Sequence, residues 1–460
     1  MDTINVAIQK PIEVSKELEK INFSTLFIDK ARKKEVTYDK KHTTELKKKK
    51  KKVRYDKEDT QFQVFQKSMR MMLIFGQCLG LNPFLGVTKN DVTKVRFTVF
   101  SGRFLYAIFI LVSQIIGTCF CIYRFMNNVF SVGALGYFSF YISTASTTFL
   151  FLKVGRKWPR LVEEIHNSEL NEYIDNKTKW KCNSATIILL TFAFTEHIFA
   201  TTNRLVAIIN CKTNETLIYE EYIRVTFPWL DDANVPIYLP LGILLQFQII
   251  VTTMNWNYSD LFVVCISMYL TGILEKINDK ILLASKKTNL TPAYWCSLRE
   301  AYTRATGLVR HFDEVINGII FTSFATNLFF ICLQLFNVLA NGITTRQGRE
   351  KCPNYVRGPL RGYENAVYLT FSLCFLFGRS LAVSLYAAGV HTASQVPAPA
   401  LYEVPSCVYC EEIQRFIDQV HGNKVALSGL NFFYVTKELA LSVAATVVTY
   451  ELVLLQFSGE

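Results

Sequence analysis

Seven stretches of this 460-residue chain are apolar for long enough to cross a lipid bilayer, and nothing else in the sequence restricts its fold as tightly. A span needs about 20 predominantly apolar residues to bridge roughly 30 Å of hydrocarbon. The candidates lie near 103–123, 132–152, 184–209, 236–274, 315–342, 365–389 and 430–457. In hydrocarbon only helices and closed barrels satisfy their own backbone, so runs of this length predict an all-α membrane protein with seven transmembrane helices. The fourth candidate covers 39 residues, and its middle, 253–260, holds no Gly or Pro to turn on. One long helix projecting beyond the bilayer is the expectation. The segment 65–87 is apolar but interrupted by Lys67, Arg70, Asn82 and Pro83. It reads as an interfacial or cytosolic helix leading into the first span, with an eighth span as the alternative.

Composition sharpens this reading. Half of the residues are apolar, 14% are aromatic and only 19% are charged, too little charge for an ordinary soluble chain. The mean hydropathy of +0.20 is diluted by residues 1–60, which hold 17 Lys or Arg against 11 Asp or Glu. That tail ends in the lysine run 47–52, followed by Arg54 and Lys57, and charge of this density cannot collapse into a core. A nucleic-acid patch is one reading. A cytosolic, lipid-touching segment that holds the N-terminus inside is the other, and it is the one adopted, with no nucleic-acid partner. The division is a disordered basic cytosolic tail over 1–60, a cytosolic or interfacial pre-span helical region over 61–100 and a seven-helix transmembrane domain over 101–460.

With the N-terminus in the cytosol, seven spans place the C-terminus outside. The intervals 153–183 and 275–314 carry seven Lys or Arg each and fall inside, as the positive-inside rule expects; the interval 343–364 carries five and falls outside, against that rule. Glycosylation sequons occur at Asn22, Asn176, Asn214, Asn257 and Asn289, and only Asn214 sits in an external loop. The twelve cysteines form no disulfide framework. Cys211 and Cys352 both fall in external loops where a pair could persist. Cys407 and Cys410 make a single CxxC without a His cluster, which is weak support for zinc.

The last span carries the first functional signal. Ser442, Thr446, Thr449, Val453 and Gln456 recur at steps of four, three, four and three, so they share one helix face. Small hydroxyl residues at this spacing either let helices approach closely or line a wet path when several copies surround an axis. Gln456 and Phe457 would stand at the external mouth. Glu451 lies roughly opposite this stripe and needs a partner within the membrane, for which Arg379 in the sixth span is a candidate.

Ionisable residues inside spans are functional candidates by default. The set is Glu196 and His197 in the third span, Arg204 one to two turns further out, Asp260 in the fourth and Arg379 in the sixth. Trp256 and Asp260 are four residues apart and share a helix face, with Asn257 beside them. An indole beside a carboxylate and an amide suits a sugar, whose C–H face packs on the ring while its hydroxyls donate to the acid. The competing reading is a buried lock in which Asp260 pairs with His197 or Arg204. Tyr141 and Tyr368 are secondary ligand candidates. HExxH, GxSxG and phosphate-binding glycine loops are absent, so an enzyme is not expected, and no cofactor or metal is implied.

The segment 449–457, ThrTyrGluLeuValLeuLeuGlnPhe, resembles the closing helix of insect gustatory receptors, in which Thr-Tyr precedes Gln-Phe by five residues; Glu451 departs mildly from the apolar filler, and Tyr450 belongs to the motif. The stretches 256–262, 378–388 and 426–436, with the Glu196–His197 pair, are similar to the sugar-receptor branch. The resemblance covers spans three to seven and not the tail. It implies a sugar-gated, nonselective cation channel in the plasma membrane of gustatory neurons. The assembly would be a tetramer of like or related subunits, with the last helix of each around one pore and a sugar pocket in each bundle. An auxiliary subunit that needs a related chain and a secondary sugar transporter stay open as alternatives.

Overall fold

Helix formation follows the apolar runs, and the computed structural model describes residues 62–89, 91–127, 132–173, 176–211, 218–232, 235–341 and 363–458. In chain order these form α1 (62–78), α2 (Gly102–Asn127), α3 (Val132–Asn167), α4 (Asn176–Cys211), α5 (Ile218–Thr226) and α6 (Trp229–Asp232). There follow α7 (Leu239–Ser285), α8 (Pro292–Asn341), α9 (Glu364–Gln395), α10 (Pro397–Tyr402), α11 (Glu411–Gly422) and α12 (Lys437–Ser458). Two short antiparallel ribbons, β1 (Phe84–Leu85) with β2 (Arg96–Phe97) and β3 (Ser428–Gly429) with β4 (Phe433–Tyr434), and two 3-10 turns, Val92–Lys94 and Asn171–Tyr173, accompany the helices.

Each candidate span coincides with a long helix. Among the described residues, four stretches are long and apolar enough by themselves to cross a membrane: Gly102–Asn127, Lys177–Ile209, Pro292–Leu339 and Glu364–Tyr402. The other three candidates fall on α3, α7 and α12. Polar residues such as Thr144, Thr147, Asn255 and Asp260 interrupt α3 and α7, and they are buried against neighbouring helices.

The fourth candidate is one uninterrupted helix of 47 residues. It stands at the centre, touched by α3, α4, α8 and α9, and residues 257–270 are buried on every face. A helix that is apolar all round belongs in an interior. Helix α12 leans on α8 and α9 from outside.

One sequence expectation needs correction. The intervals 153–183 and 275–314, read as inside loops, are largely continuations of helices, with only short connections between them. Their charges hid an apolar stripe at helical spacing. On α3 it consists of Trp158, Leu161, Val162 and Ile165; on α8 it runs through Trp295, Leu298, Tyr302, Ala305, Val309 and Phe312, all buried. Helix α1, read as interfacial or cytosolic, packs onto the bundle. Phe62, Phe65, Met69, Met72 and Leu73 are buried in the protein core, and the Phe65 ring stands 4.8 Å from Tyr269 and 6.1 Å from Trp158. One face of α1 is thus covered by protein, while Met71 and Ile74 stay exposed. Each fully buried Phe contributes about 1.5–3 kcal/mol.

At this end of the bundle, α11 buries Ile413, Phe416, Ile417 and Val420, and Phe416 meets Tyr302 at 5.2 Å. Arg299 Nε donates to Glu412 Oε2 at 2.9 Å. That guanidinium holds the Glu412 carboxyl below the usual carboxylate range. The last helix begins at Lys437, later than the apolar run suggested, because 428–434 form a hairpin. Asp313 on α8 accepts from the Ser428 amide at 2.6 Å and from its hydroxyl at 2.7 Å. The turn places Leu430 and Asn431 at φ 48° and 61°, a left-handed conformation that Asn tolerates better than most residues.

Candidate ligand cavity

A cavity of about 270 Å3 lies among α3, α4, α5, α7, α8 and α9. Helical spacing assembles it. Glu196, Ala200 and Arg204 follow one another at i, i+4 and i+8 on α4, with His197 and Thr201 beside them. Thr253 and Trp256 face it from α7, Phe330, Gln334 and Asn337 from α8, and Tyr368 and Ser372 from α9. Tyr137 and Phe140 close the α3 side, and Thr226 at the end of α5 adds a hydroxyl.

The polar side of the wall is linked. The Ser372 hydroxyl donates to Glu196 Oε1 at 2.5 Å and accepts from Gln334 Nε2 at 3.0 Å. This tie fixes a carboxylate on α4, a hydroxyl on α9 and an amide on α8 relative to one another. Three polar atoms of the wall are buried yet have no hydrogen-bond partner among the described residues: Trp256 Nε1, Gln334 Oε1 and Thr226 Oγ1. One is a donor, one an acceptor and one can be either. The apolar side is aromatic, with Phe330 at 4.6 Å and Phe140 at 6.3 Å from the Trp256 ring.

Of the ligand candidates read from sequence, the structure brings Glu196, His197, Trp256 and Tyr368 to this cavity. Asp260, Asn257 and Tyr141, also read as ligand residues, do not line it. Asp260 is fully buried behind Trp256, where Arg379 Nε lies 2.7 Å from its Oδ2. Asn327 Nδ2 donates to the same oxygen at 3.0 Å, and the Ser323 hydroxyl donates to Oδ1. Arg379 also donates to Asn327 Oδ1 at 3.0 Å and to Asn257 Oδ1. The carboxylate and the amide are thus saturated by protein groups. The partner of Asp260 is neither His197 nor Arg204 but Arg379. Sharing a helix face with Trp256 was insufficient, because Arg379 from α9 and Ser323 and Asn327 from α8 engage the carboxylate.

Arg379 nevertheless bears on the site. Its guanidinium carbon lies 4.4 Å from the Trp256 ring centroid and 5.5 Å from that of Phe375. The cation is held between an aromatic of the cavity and one outside it. Tyr141 is packed in a separate cluster with Cys121, Ile208 and Trp229. A Cβ at Gly117 would meet its ring at 2.8 Å, so α2 needs that glycine to lie close to α3.

Sequence reasoning left Ser372, Gln334, Asn337, Thr201 and Thr226 unassigned, and it noted Arg204 without giving it a ligand role. Uncharged polar residues inside apolar runs are common, and only the Gln334–Asn337 spacing hinted at a shared face.

On α12, Ser442, Thr446 and Thr449 are exposed, while Val447 on the other side is buried with Ile331 and Leu376. The Thr446 and Thr449 hydroxyls donate to the carbonyls of Ser442 and Ala445 within the helix. Among the described residues, these three side chains pack against no other helix. Tyr450, Glu451, Val453, Gln456 and Phe457 continue the same helix, and their side chains lie outside the described part, as do Asn214, Cys352 and the basic tail.

Comparison with known proteins decides the family. Residues 40–460 match the family described as trehalose receptor. The chain belongs to the trehalose receptor family. Its relatives in Drosophila melanogaster include "Gustatory receptor for sugar taste 64f", 31% identical and covering 85% of this chain and 81% of that protein. "Gustatory receptor 5a for trehalose" is 28% identical and covers 85% of each. Among solved structures, the insect olfactory receptor OR5 from Machilis hrabei aligns with a TM-score of 0.59 at 15% identity, over 85% of this chain and 97% of that one. The same receptor in complex with eugenol aligns at 0.57. At that identity the fold is what is shared. The protein is a multi-pass membrane protein of a receptor family rather than an enzyme.

Proposed function

We propose that the cavity binds a neutral sugar and that the chain is a subunit of a sugar-gated, weakly selective cation channel of taste neurons. The observation that carries this reading is the set of unpartnered polar atoms, Trp256 Nε1, Gln334 Oε1 and Thr226 Oγ1, on an aromatic wall beside the Glu196–Ser372 pair. Buried polar atoms without partners each cost about 1–3 kcal/mol. A polyol offers donors and acceptors at once and an apolar C–H face to the Trp256 ring. Relatives named for sugar taste and for trehalose support this choice of ligand.

The seven long helices are the seven spans, with the N-terminus in the cytosol and the C-terminus outside. Four subunits, identical or related, set their α12 helices around one axis, so that Ser442, Thr446, Thr449, Val453 and Gln456 line the permeation path and Phe457 stands at its mouth. Two facts support that arrangement: Ser442, Thr446 and Thr449 are exposed, and Val447 on their back joins Ile331 and Leu376 in one cluster. Trp256 and Phe330 of the cavity wall pack on that same cluster. A sugar that draws Trp256 and Phe330 together in the open state moves the surface on which α12 rests. It opens the pore only to the extent that it binds the open arrangement more tightly.

Patch-clamp of cells expressing the chain alone tests this. Sugar-evoked unitary currents are the expected result. Saturable sugar uptake without current would replace the channel with a carrier, and currents that appear only with a related chain would make it an auxiliary subunit.

A further inference from the structure

A second cavity, of about 430 Å3, lies between α4, α7 and α9, with Arg379 in its wall. Its walls are apolar: Ile188, Leu189 and Phe192 on α4, Val264 and Met268 on α7, and Phe371 and Phe375 on α9. Arg379 is the one charged residue that reaches it, and that charge is already matched by Asp260. Gly378 and Cys374, one turn apart on α9, also line it. A Cβ at Gly378 would have nothing within 4 Å. The glycine thus leaves open space in the wall and relieves no clash.

Surrounding surface identifies the medium that reaches this cleft. Ile188 and Phe192 on α4 and Leu381 and Leu385 on α9 are all exposed, and both helices lie within stretches apolar enough to span a membrane. The mouth therefore opens on hydrocarbon, continuous with the lipid-facing surface. A net-neutral, apolar cleft at that depth selects neither an ion nor a polyol; it suits a hydrocarbon chain.

We propose that this cleft seats an acyl chain of a bilayer phospholipid, and that its occupancy tunes the response to sugar through Arg379. The coupling is geometric. Phe192, Phe371 and Phe375 stack along the cleft, with Phe192 centred 6.0 Å from Phe371 and 5.9 Å from Phe375. Phe375 faces the Arg379 guanidinium at 5.5 Å, and the same guanidinium covers Trp256 of the sugar cavity at 4.4 Å. An acyl chain against Phe375 braces Arg379 on Trp256. An empty or filled-in cleft leaves that sandwich in a different position. Because Arg379 also bonds to α7 and α8 through Asn257 and Asn327, the shift reaches both helices that carry the sugar wall.

The lipid site assumes only that α4 and α9 cross the bilayer, whereas the tuning rests on the proposed sugar site, and the test separates the two. Full-length receptor is reconstituted in bilayers containing phosphatidylcholine with a photoreactive diazirine on one acyl chain, illuminated, and mapped by peptide mass spectrometry. Adducts are expected at 371–386, above those at Leu105, which is exposed on α2. Gly378→Leu, whose side chain occupies the cleft, should remove them while adducts at Leu105 persist. Gly378→Ala, which adds one methyl into open space, should reduce them partially and guards against a folding failure. In electrophysiology Gly378→Leu should shift the half-maximal sugar concentration at least threefold. Cleft adducts equal to those at Leu105, or unmoved by Gly378→Leu, would overturn the lipid site. Loss of adducts with an unshifted sugar response would overturn the tuning. If no sugar current exists at all, the adduct map still judges the cleft.

Discussion

Replacing Asp260 by Asn removes the charge that matches Arg379 while keeping the shape of the side chain. Both groups are almost wholly buried, at 0% and 2% exposure, and their ion pair measures 2.7 Å. Removing one partner of such a pair strands the other charge in a low-dielectric interior, at a cost of about 3–5 kcal/mol, whereas replacing both with neutral groups of similar volume is often close to neutral. Asp260→Asn and Arg379→Met should therefore each lower the thermal midpoint of detergent-solubilised receptor and its surface abundance. The double variant should recover most of the loss, with a coupling of about 2 kcal/mol or more in a double-mutant cycle. Its sugar response should stay impaired, because Arg379→Met also uncovers the Trp256 ring. Thermal size-exclusion profiles, surface biotinylation and dose-response curves measure the three quantities. Additive single losses, with the double variant the least stable, would refute the pairing argument. A stable Asp260→Asn variant with only a right-shifted sugar response would instead return Asp260 to the list of ligand contacts.

Three further outcomes follow from the site and the bundle. Gln334→Ala should raise the half-maximal sugar concentration by roughly tenfold, the equivalent of about 1.4 kcal/mol for one lost hydrogen bond, with unitary conductance unchanged in single-channel records. Gln456→Ala should alter conductance, cation selectivity or resting leak, measured by reversal potentials in ion substitution; a change confined to sugar affinity would remove it from the pore. The Glu412 carboxyl is held below its usual range by Arg299, so its contribution is present above the ordinary carboxylate value and lost as pH falls through the lowered one. A thermal-midpoint difference between wild type and Glu412→Gln should therefore be largest near neutral pH and vanish in acid; a difference independent of pH would mean that the pairing is not responsible.

Sequence periodicity revealed the helices well because a span is a local property: twenty apolar residues in a row have few other ways to satisfy their backbone. It failed where charge masked periodicity, as in the extensions of α3 and α8, whose buried Trp158, Tyr302 and Phe312 sit among lysines and arginines. The candidate site was legible in part for the same reason. Glu196, His197, Trp256 and Tyr368 stand out as polar or aromatic groups inside apolar runs, and all four meet at the cavity. Ser372, Gln334 and Thr226 do not stand out, since a lone uncharged polar residue in a span is ordinary until a neighbour is known.

The number and length of the apolar runs, the hydroxyl spacing in the last one and the closing Thr-Tyr and Gln-Phe pairs belonged to the sequence alone, because each depends on residues within a few turns of one another. Which buried charges cancel was decided only when α9 came to lie against α7. Trp256 and Asp260 are neighbours on one helix face, yet Arg379 from a distant part of the chain saturates the carboxylate and leaves the indole at the cavity. Burial makes an unmatched charge too costly to keep, so the tertiary contact that supplies the counter-charge, rather than helical spacing, determines which polar residues remain available to a ligand.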